Sequence, residues 1–540
     1  EMKMVKSLLL GSAAAFVAFA GAQAADLPVK AKPVEYVKVC SLYGAGFYYI
    51  PGTDTCIRYS GFIRYEANFH SQASGAQDVS IAGTPQTTGM IAANNFNQNY
   101  YFQRVRVAWL TDTRTQTEYG TLRSFSYLYF TNSGGDGNAG TAPTLLQGYI
   151  QLAGFTVGKF KSAFFTPWSS NAGTYNAALF YPDDAGASTG AAYTWQFGNG
   201  VSATIGATDP RRTTLWQQDT AINAGPTIAP MANKYITGFH MPDIVANIQV
   251  DQAWGFFHLG GVVHELAGAY YGLGAGAGVN TGTAVTTLET TGRPDTRYGW
   301  GVNAGLTLKN LPTGAGDQLF LNAAYTDGAT AYQTNNSPNT GVALFGPGNP
   351  AGLNALNQTL GFSFVTDGVY VNPNTGIGGN AQIQTIKVFT AQAAFEHFWI
   401  PAKLKSSLYG YGGWFDFGAN QIIGAANPGQ SANQIICSRF TPGFANVGAG
   451  ATFTAGSKCD FNFSYWAIGS RTTWYPVKDL EIAADVGYTQ YQFANAGQAS
   501  IVQPTATGNT VNFPTSKPAG IYNIANQGVL SGYLRVVRSW

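Results

Sequence analysis

Apolar and polar residues alternate with a period of two along a stretch near the start of the chain. In residues 57–70, one face of an extended chain carries Tyr59 and Ile63. The opposite face carries Arg58 and Arg64. A period of two is typical of a β-strand, and charge confined to one face indicates that this face is wet. The stretch therefore predicts a strand with one apolar side and one side in water.

The same alternation recurs along the rest of the chain and predicts sixteen strands in all. They span residues 57–70, 98–111, 117–130, 144–152, 154–163, 190–198, 201–209, 242–252, 255–267, 295–309, 317–327, 382–399, 403–417, 460–475, 479–493 and 527–540.

The connections between these strands alternate in length. Seven are short, such as Asp112 to Gln116, Ala153-Gly154 and Asn199-Gly200, and eight are long, such as 164–189 and 328–381. Because short and long connections alternate, both chain ends lie on one side, as a closed, even-stranded barrel requires. A soluble β-sandwich gives no reason for such an alternation. We expect an all-β fold, a 16-stranded antiparallel barrel. The long loops are rich in Gly, Asn, Thr and Ala, and we expect them to carry no core.

Composition indicates that the barrel spans a membrane. Charged residues are 10% of the chain, against about 25% in soluble globular proteins. Aromatic residues are 14%, there are 67 glycines, and the mean hydropathy is −0.05. Beyond the first 24 residues, no uncharged apolar run approaches the ~20 residues that a membrane helix needs. Strands with apolar residues on lipid and polar residues on the lumen give such an average, so we expect a bacterial outer-membrane barrel in contact with lipid.

Residues 1–24 predict a signal peptide. Lys3 and Lys6 precede an apolar run from Leu8 to Ala20, and Ala22-Gln23-Ala24 is typical of a cleavage site. The alternative, a membrane anchor, would require a longer apolar run. We expect residues 25–56 to form a periplasmic N-terminal arm and residues 57–540 the transmembrane barrel.

The last predicted strand ends in an aromatic residue, Trp540. A terminal aromatic on an alternating strand resembles the signal by which the barrel-assembly machinery recognises outer-membrane proteins. This machinery is therefore an expected partner. The formal net charge of +2 gives no support to nucleic-acid binding.

The four cysteines fall into two local pairs along the chain. Three pairings are possible for four cysteines, and export makes disulfides feasible. We favour Cys40 with Cys56 and Cys437 with Cys459, because both pairs close short loops. No histidine or further cysteine stands at metal-ligand spacing, so we expect neither a metal site nor a cofactor.

The third long loop, residues 164–189, predicts the narrowest point of a pore. Its aromatic residues, including Phe164 and Trp168, would be costly in water, so we expect the loop to fold inward against the barrel wall. Asp183 and Asp184 are the only carboxylates of the loop and would face the pore.

Basic residues on the neighbouring strands predict the opposite side of this constriction. Charges of opposite sign would set a transverse field across the opening, and charged rings at a narrow point determine selectivity. The alternative is ordinary solvation of the lumen, with the two aspartates in a surface turn. The candidate basic residues are Arg58, Arg64, Arg104, Arg106, Arg123, Lys159 and Lys161.

Other candidate motifs favour a structural role. His258 and His264 share a strand face but lie six residues, roughly 20 Å, apart, so we expect lumenal residues. No Ser–His arrangement is recognisable, and we expect no enzymatic activity. The remaining prominent aromatics are typical of a core or of an interface girdle: Tyr48, Tyr49, Trp399, Trp414, Trp466, Trp474 and Tyr475.

Three stretches of the chain resemble one known family. They are residues 34–61, which include the Cys40–Cys56 block, residues 148–159, and residues 241–255. These stretches are similar to the alphaproteobacterial porins, the major porins of rhizobia and their relatives. The resemblance implies a sixteen-stranded homotrimer in which the third loop narrows each pore. It does not fix the ion preference, because Lys161 is additional to the commoner pattern and the loop has only two acidic residues.

The expected function is a water-filled channel for the passive diffusion of small hydrophilic solutes and ions. One alternative is a substrate-selective channel of the same fold, with a solute-binding site in the lumen. A second alternative, from another class, is a barrel used for adhesion or catalysis.

Overall fold

The computed structural model describes most of the barrel and parts of its loops. The described residues are 38–70, 101–133, 143–169, 173, 187–211, 215–218, 238–271, 289, 292–333, 341–345, 359–371, 382–419, 431–437, 451–454, 456–501 and 520–540. The predicted signal peptide, residues 25–37 of the predicted arm, and Asp183 and Asp184 lie outside these ranges. The chain divides into two units, Glu1–Cys56 and Ile57–Trp540.

The described part of the first unit is closed by a disulfide. Cys40 and Cys56 are bonded, with their Cα atoms 6.1 Å apart, as predicted. A 3-10 helix, Ser41–Tyr43, is followed by a short strand, Tyr48–Tyr49. Phe47 is buried against the two cysteines, so the disulfide and one aromatic ring form the core of this unit.

The second unit is a barrel of sixteen strands. In chain order they are β1 Cys56–His70, β2 Tyr101–Thr117, β3 Gly120–Ser133, β4 Thr144–Leu152, β5 Phe155–Lys161, β6 Ala187–Gly198, β7 Val201–Thr208, β8 Asp243–Gln252, β9 Gly255–Leu266, β10 Arg297–Lys309, β11 Gln318–Asp327, β12 Lys387–Ile400, β13 Leu404–Asp416, β14 Phe463–Trp474, β15 Leu480–Phe493 and β16 Gln527–Ser539.

Pairing of the first strand with the last closes the barrel. Strands adjacent in the chain pair antiparallel, and β1 pairs with both β2 and β16. At the seam Phe62 lies opposite Ser539, and Gly61 and Trp540 exchange backbone hydrogen bonds of 3.2 and 3.1 Å. A closed sheet has no unpaired edge in the membrane. The prediction of a sixteen-stranded antiparallel barrel is confirmed.

The short turns agree with the sequence at all but one hairpin. Ala153-Gly154 and Asn199-Gly200 have paired positive φ values, 50° with 88° and 49° with 72°, which match the twist of two-residue hairpins. The predicted turn from Asp112 to Gln116 is wrong. β2 continues to Thr117, and the turn is Glu118-Tyr119, next to a glycine with φ of 103°. The inside–outside alternation continues through the segment, so Asp112 and Arg114 lie on the lumen wall.

The outer face of the barrel is apolar and rich in tryptophan. Trp109, Trp195, Trp300, Trp414 and Trp474 are each between 44 and 49% exposed on this face. Aromatic residues at both ends of an apolar band are typical of lipid-facing barrel surfaces. Within the described ranges, no helix is both long and apolar enough to cross a membrane.

The long loops contain a core, which corrects the expectation that they carry none. Cys437 and Cys459 are bonded, as predicted, and pack with Ile435, Phe461 and Val369 in the largest apolar cluster of the described residues. The loops contribute a helix, Ala432–Cys437, a 3-10 helix, Thr330–Tyr332, and strands that form two small sheets: Gly341–Phe345, Thr359–Phe364, Gly520–Ile524, Gln498–Ile501 and Ala451–Phe453; and Leu215–Gln218, Gly368–Val371 and Gln384–Thr385.

Candidate pore constriction

After β5 the chain runs inside the barrel, along the wall that is formed by β8 to β13. Asn247 of β8 donates through Nδ2 to the Ala163 carbonyl at 2.9 Å. His258 Nε2 of β9 lies 3.1 Å from the Phe164 carbonyl, and Asn303 Nδ2 of β10 donates to the same oxygen at 3.0 Å. Three successive strands therefore satisfy backbone carbonyls that would otherwise be buried without partners.

The next strands continue this contact. Thr166 Oγ1 donates to Asn322 Oδ1 of β11 at 2.6 Å. Gln392 Nε2 of β12 donates to the Ser169 carbonyl at 3.0 Å. The Gly173 carbonyl accepts a hydrogen bond from a serine hydroxyl of β13. The prediction of an inward-folded loop is confirmed for its described residues, and side chains from β8 to β13, mostly amides, hold these residues in place.

Glycines on this wall allow the loop to approach closely. A Cβ atom at Gly260 of β9 would lie 2.5 Å from the Phe164 carbonyl oxygen. A Cβ atom at Gly305 of β10 would lie 2.3 Å from Thr166 Oγ1. Both distances are below van der Waals contact, so the docked position of the loop depends on the absence of side chains at these two points.

Aromatic packing anchors the base of the loop. Phe164 and Phe165 are buried against Tyr332, with ring centroids 4.9 and 5.7 Å away. Arg211 stacks over Phe165 at 4.3 Å, and Tyr332 donates through its hydroxyl to Asp243 at 2.7 Å. The aromatic residues that predicted inward folding are therefore the residues that pack against the wall.

The two histidines of β9 have structural contacts. Both lie on the lumenal face, as expected, and both are buried. His258 contacts the loop through the Phe164 carbonyl. His264 Nδ1 lies 2.7 Å from Asp243 Oδ1, the carboxylate that Tyr332 also contacts. Both histidines support the loop and its base.

A buried carboxylate on β1 collects three arginines. Glu66 accepts a hydrogen bond from Arg104 Nε of β2. Arg535 of β16 contacts Glu66 Oε1 through Nε at 2.9 Å and Nη2 at 2.7 Å, and Arg64 Nε lies 2.9 Å from that oxygen. Three guanidinium groups share one carboxylate, so this group, which we call the Glu66 cluster, carries a surplus of positive charge.

A second cluster repeats this arrangement around Asp112 of β2. Arg123 of β3 contacts both carboxylate oxygens, at 3.0 and 3.1 Å, and Arg114 Nη2 lies 2.9 Å from Oδ2. Arg58 Nη2 of β1 is 3.7 Å from Oδ2. This Asp112 cluster also has three cations for one anion. Arg106 contacts neither carboxylate within 4 Å, but its Nε donates to Thr131 Oγ1 at 2.8 Å.

Lys159 does not lie on the face that carries these clusters, which corrects the expectation for it. Arg123 donates to Gln151 and Gln151 donates to Thr156, both at 3.0 Å, so buried Thr156 marks the lumenal face of β5. Lys159 lies on the other face, with Val157, which is 55% exposed. Its Nζ donates to a backbone carbonyl of β4 at 2.7 Å. By the same alternation Lys161 lies on that outer face.

A cavity of about 400 Å³ lies between the Glu66 cluster and the docked loop. On its far side Glu396 of β12 accepts hydrogen bonds from Lys405 Nζ of β13 at 2.9 Å and Arg471 Nη2 of β14 at 2.6 Å. The lining residues are Phe62, Arg64, Trp168, Phe320, Glu396, Lys405, Arg471, Glu481, Arg535 and Val537.

Several charged residues of the site were missed in the sequence. Asp112 was assigned to a turn. Four others lie on predicted strands: Glu396, Lys405, Arg471 and Arg535. The pattern that selects Arg64, a charged residue on the polar face of an alternating strand, also selects these four. No local pattern in the sequence indicates which of these residues pair with one another. Whether Asp183 and Asp184 face the arginines stays a prediction, because both lie outside the described residues.

A membrane-spanning barrel with a loop docked inside and charged residues around the remaining opening has the architecture of a porin. The sequence profile of a family described as "Porin subfamily" matches residues 26–516. The chain belongs to this family, and it is an outer-membrane protein.

Individual relatives agree with this assignment. Porin Omp2b of Brucella abortus (strain 2308) is 36% identical over 271 residues, which cover 46% of this chain and 63% of the relative. Porin Omp2b of Brucella neotomae is 38% identical over 271 residues, with the same coverage. The chain thus spans less than two thirds of these relatives. The outer membrane channel DcaP of Acinetobacter baumannii has 12% sequence identity, a TM-score of 0.51, and coverage of 91% of this chain and 99% of its own, a likeness of fold.

Proposed function

We propose that the protein forms a water-filled channel through which small hydrophilic solutes and ions diffuse passively across the outer membrane. The observation that carries the proposal is the unequal lining of the lumen. The constriction loop is hydrogen-bonded to one wall, while the opposite wall carries two clusters with surplus positive charge. Charged side chains at the narrowest point of a lumen are typical of a water-filled pore.

The proposed constriction places Arg64, Arg104, Arg106 and Arg123 on one side. We propose Asp183 and Asp184 for the other side, so that the field would cross the opening. Diffusion through such a pore requires no chemical step, and we propose that the protein has no enzymatic activity. Family membership supports a channel protein over an enzyme.

The proposed partners follow from the same class of protein. We propose a homotrimer embedded in outer-membrane lipid. Folding would proceed through the barrel-assembly machinery, which would read the terminal Trp540. A strand that ends in an aromatic and pairs with β1 at the seam supports this last point.

Planar-bilayer recording of the purified full-length protein tests the channel. We expect stable conductance steps in potassium chloride, on the order of a nanosiemens and grouped in threes, with a flux that rises linearly with solute concentration. Protein denatured before addition is the control and should give no steps. A folded protein that stays silent would contradict the proposed function.

A further inference from the structure

The cavity beside the constriction loop has an excess of cations on its lining. Arg64 and Arg535 reach it from the Glu66 cluster, and Lys405 and Arg471 reach it from the other side. The lining carboxylates are Glu396 and Glu481, so the lining charge is 4 − 2 = +2. Glu66 and Arg104 behind the lining add one charge of each sign and leave this sum unchanged.

The position of these charges makes them effective. Arg471 and Glu396 are nearly buried, with side chains 4 and 7% exposed, so water screens them less than it screens surface groups. An anion that enters the cavity would therefore meet positive charge that water screens only weakly.

The remaining lining is aromatic and apolar. Trp168 of the loop and Phe320 of β11 meet edge to face, with ring centroids 5.1 Å apart. Phe62 and Val537 line the cavity from β1 and β16. A hydrated inorganic ion gains nothing from such a surface, whereas a planar apolar body gains burial and ring contacts.

We propose that this cavity is a binding subsite for small aromatic carboxylates, molecules with one planar ring and one carboxylate. The carboxylate lies toward Arg471, Lys405 and Arg535, and the ring lies against Trp168 and Phe320. A volume of about 400 Å³ is within the roughly 300–1,000 Å³ of small-molecule sites. This proposal depends on the proposed function in one respect, which is that solutes reach the cavity through the channel.

Titration calorimetry with benzoate tests the site on the folded full-length protein in detergent, without reference to conductance. Acetate has the charge without the ring, and benzyl alcohol has the ring without the charge. We expect saturable binding of benzoate, and binding of each partial probe weaker by about tenfold or more, since each lacks one class of contact. Equal binding of acetate and benzoate would overturn the proposal in favour of a pore that only accumulates anions.

Two pairs of variants localise the binding. Lys405→Gln removes a lining charge, and Lys403→Gln, in the exposed turn two residues before it, is the matched control. Trp168→Leu removes the ring, and Trp195→Leu on the outer face is its control. We expect the two lining variants to weaken benzoate binding about tenfold and the controls to bind as the parent does. If Lys405→Gln does not fold, Trp168→Leu decides alone. Benzoate binding unchanged by a folded lining variant refutes the site.

Bilayer recording separates this proposal from the proposed function. Benzoate should reduce the potassium chloride current with a saturating concentration dependence. A protein that conducts but shows no benzoate binding would leave the channel standing and overturn the subsite. A protein that binds benzoate but does not conduct would leave the subsite standing and overturn the channel.

Discussion

The lumen has two walls of opposite chemistry. The arginine wall, on β1 to β3 and β16, carries the Glu66 and Asp112 clusters. The docking wall, on β8 to β13, carries amides, hydroxyls and glycines, and the constriction loop covers it. Neutral side chains that donate hydrogen bonds suit backbone carbonyls, and glycines leave room for the chain. The loop therefore lies on one side, and the passage for solute lies toward the other.

The contacts within the arginine wall differ from the contacts between the docking wall and the loop. On the arginine wall, three cations surround a buried carboxylate, so the anion offsets repulsion among the guanidinium groups and they offset its loss of hydration. On the docking wall, the fit of neutral groups holds a segment of irregular chain in place. We therefore expect changes of side-chain charge to destabilise the arginine wall. We expect changes of side-chain volume to weaken the docking of the loop on the docking wall.

Loss of the central carboxylate of the arginine wall has the largest expected effect. Glu66→Gln leaves Arg64, Arg104 and Arg535 close together without their shared anion. We expect a loss of about 3 kcal/mol in the free energy of unfolding, because removal of one partner leaves buried charges uncompensated. Urea unfolding of the folded barrel measures it, with Glu118→Gln in the exposed turn after β2 as the control. Equal stability of the two variants would show that the arginines need no shared carboxylate.

Added volume on the docking wall has the next largest effect. Gly260→Ala places a methyl group 2.5 Å from the Phe164 carbonyl oxygen, and we expect the docked loop to lose about 1–3 kcal/mol through overpacking. Single-channel conductance should rise and become noisier as the loop leaves the wall. The neighbouring Gly261→Ala is the control, since its nearest contact would be 3.8 Å. Identical conductance in both variants would mean that the loop does not set the pore width.

Charge changes on the two sides of the proposed constriction should move ion preference in opposite directions. Arg104→Gln with Arg106→Gln removes two positive charges and should shift the reversal potential in a salt gradient toward cations. Asp183→Asn with Asp184→Asn should shift it toward anions, because fixed charge at a narrow point attracts the opposite ion. Arg538→Gln, exposed at the end of β16, is the control. A reversal potential that neither double variant changes would sink the assignment of the constriction.

The smallest effect is expected at Lys159. Its side chain lies on the outer face with Val157, so Lys159→Gln should leave the reversal potential where it is. Arg123→Gln removes the same charge from the arginine wall, and it should shift the potential toward cations. A shift in the Lys159 variant as large as that in the Arg123 variant would place Lys159 inside the pore after all.

Local sequence patterns account for the strands of both walls but not for every charged residue on them. The strand bounds came close to the structure because inside–outside alternation is a local property of an extended chain. It held even at β2, where the turn was placed too early at Asp112. Period two also places Lys159 with Phe155 and Val157. Nearness to the loop predicts that this lysine faces the pore, but the alternation places it on the outer face.

The sequence alone determined the sixteen strands, the barrel, the two disulfides and the inward third loop, because alternation, short turns and buried aromatics are read within a few residues of the chain. The tertiary structure decided which arginines share a carboxylate and which wall holds the loop. Arg535 and Glu66 are 469 residues apart in the chain and meet only because the last strand pairs with the first. Charge pairing across a closed barrel is set by register between distant strands, and no local pattern encodes it.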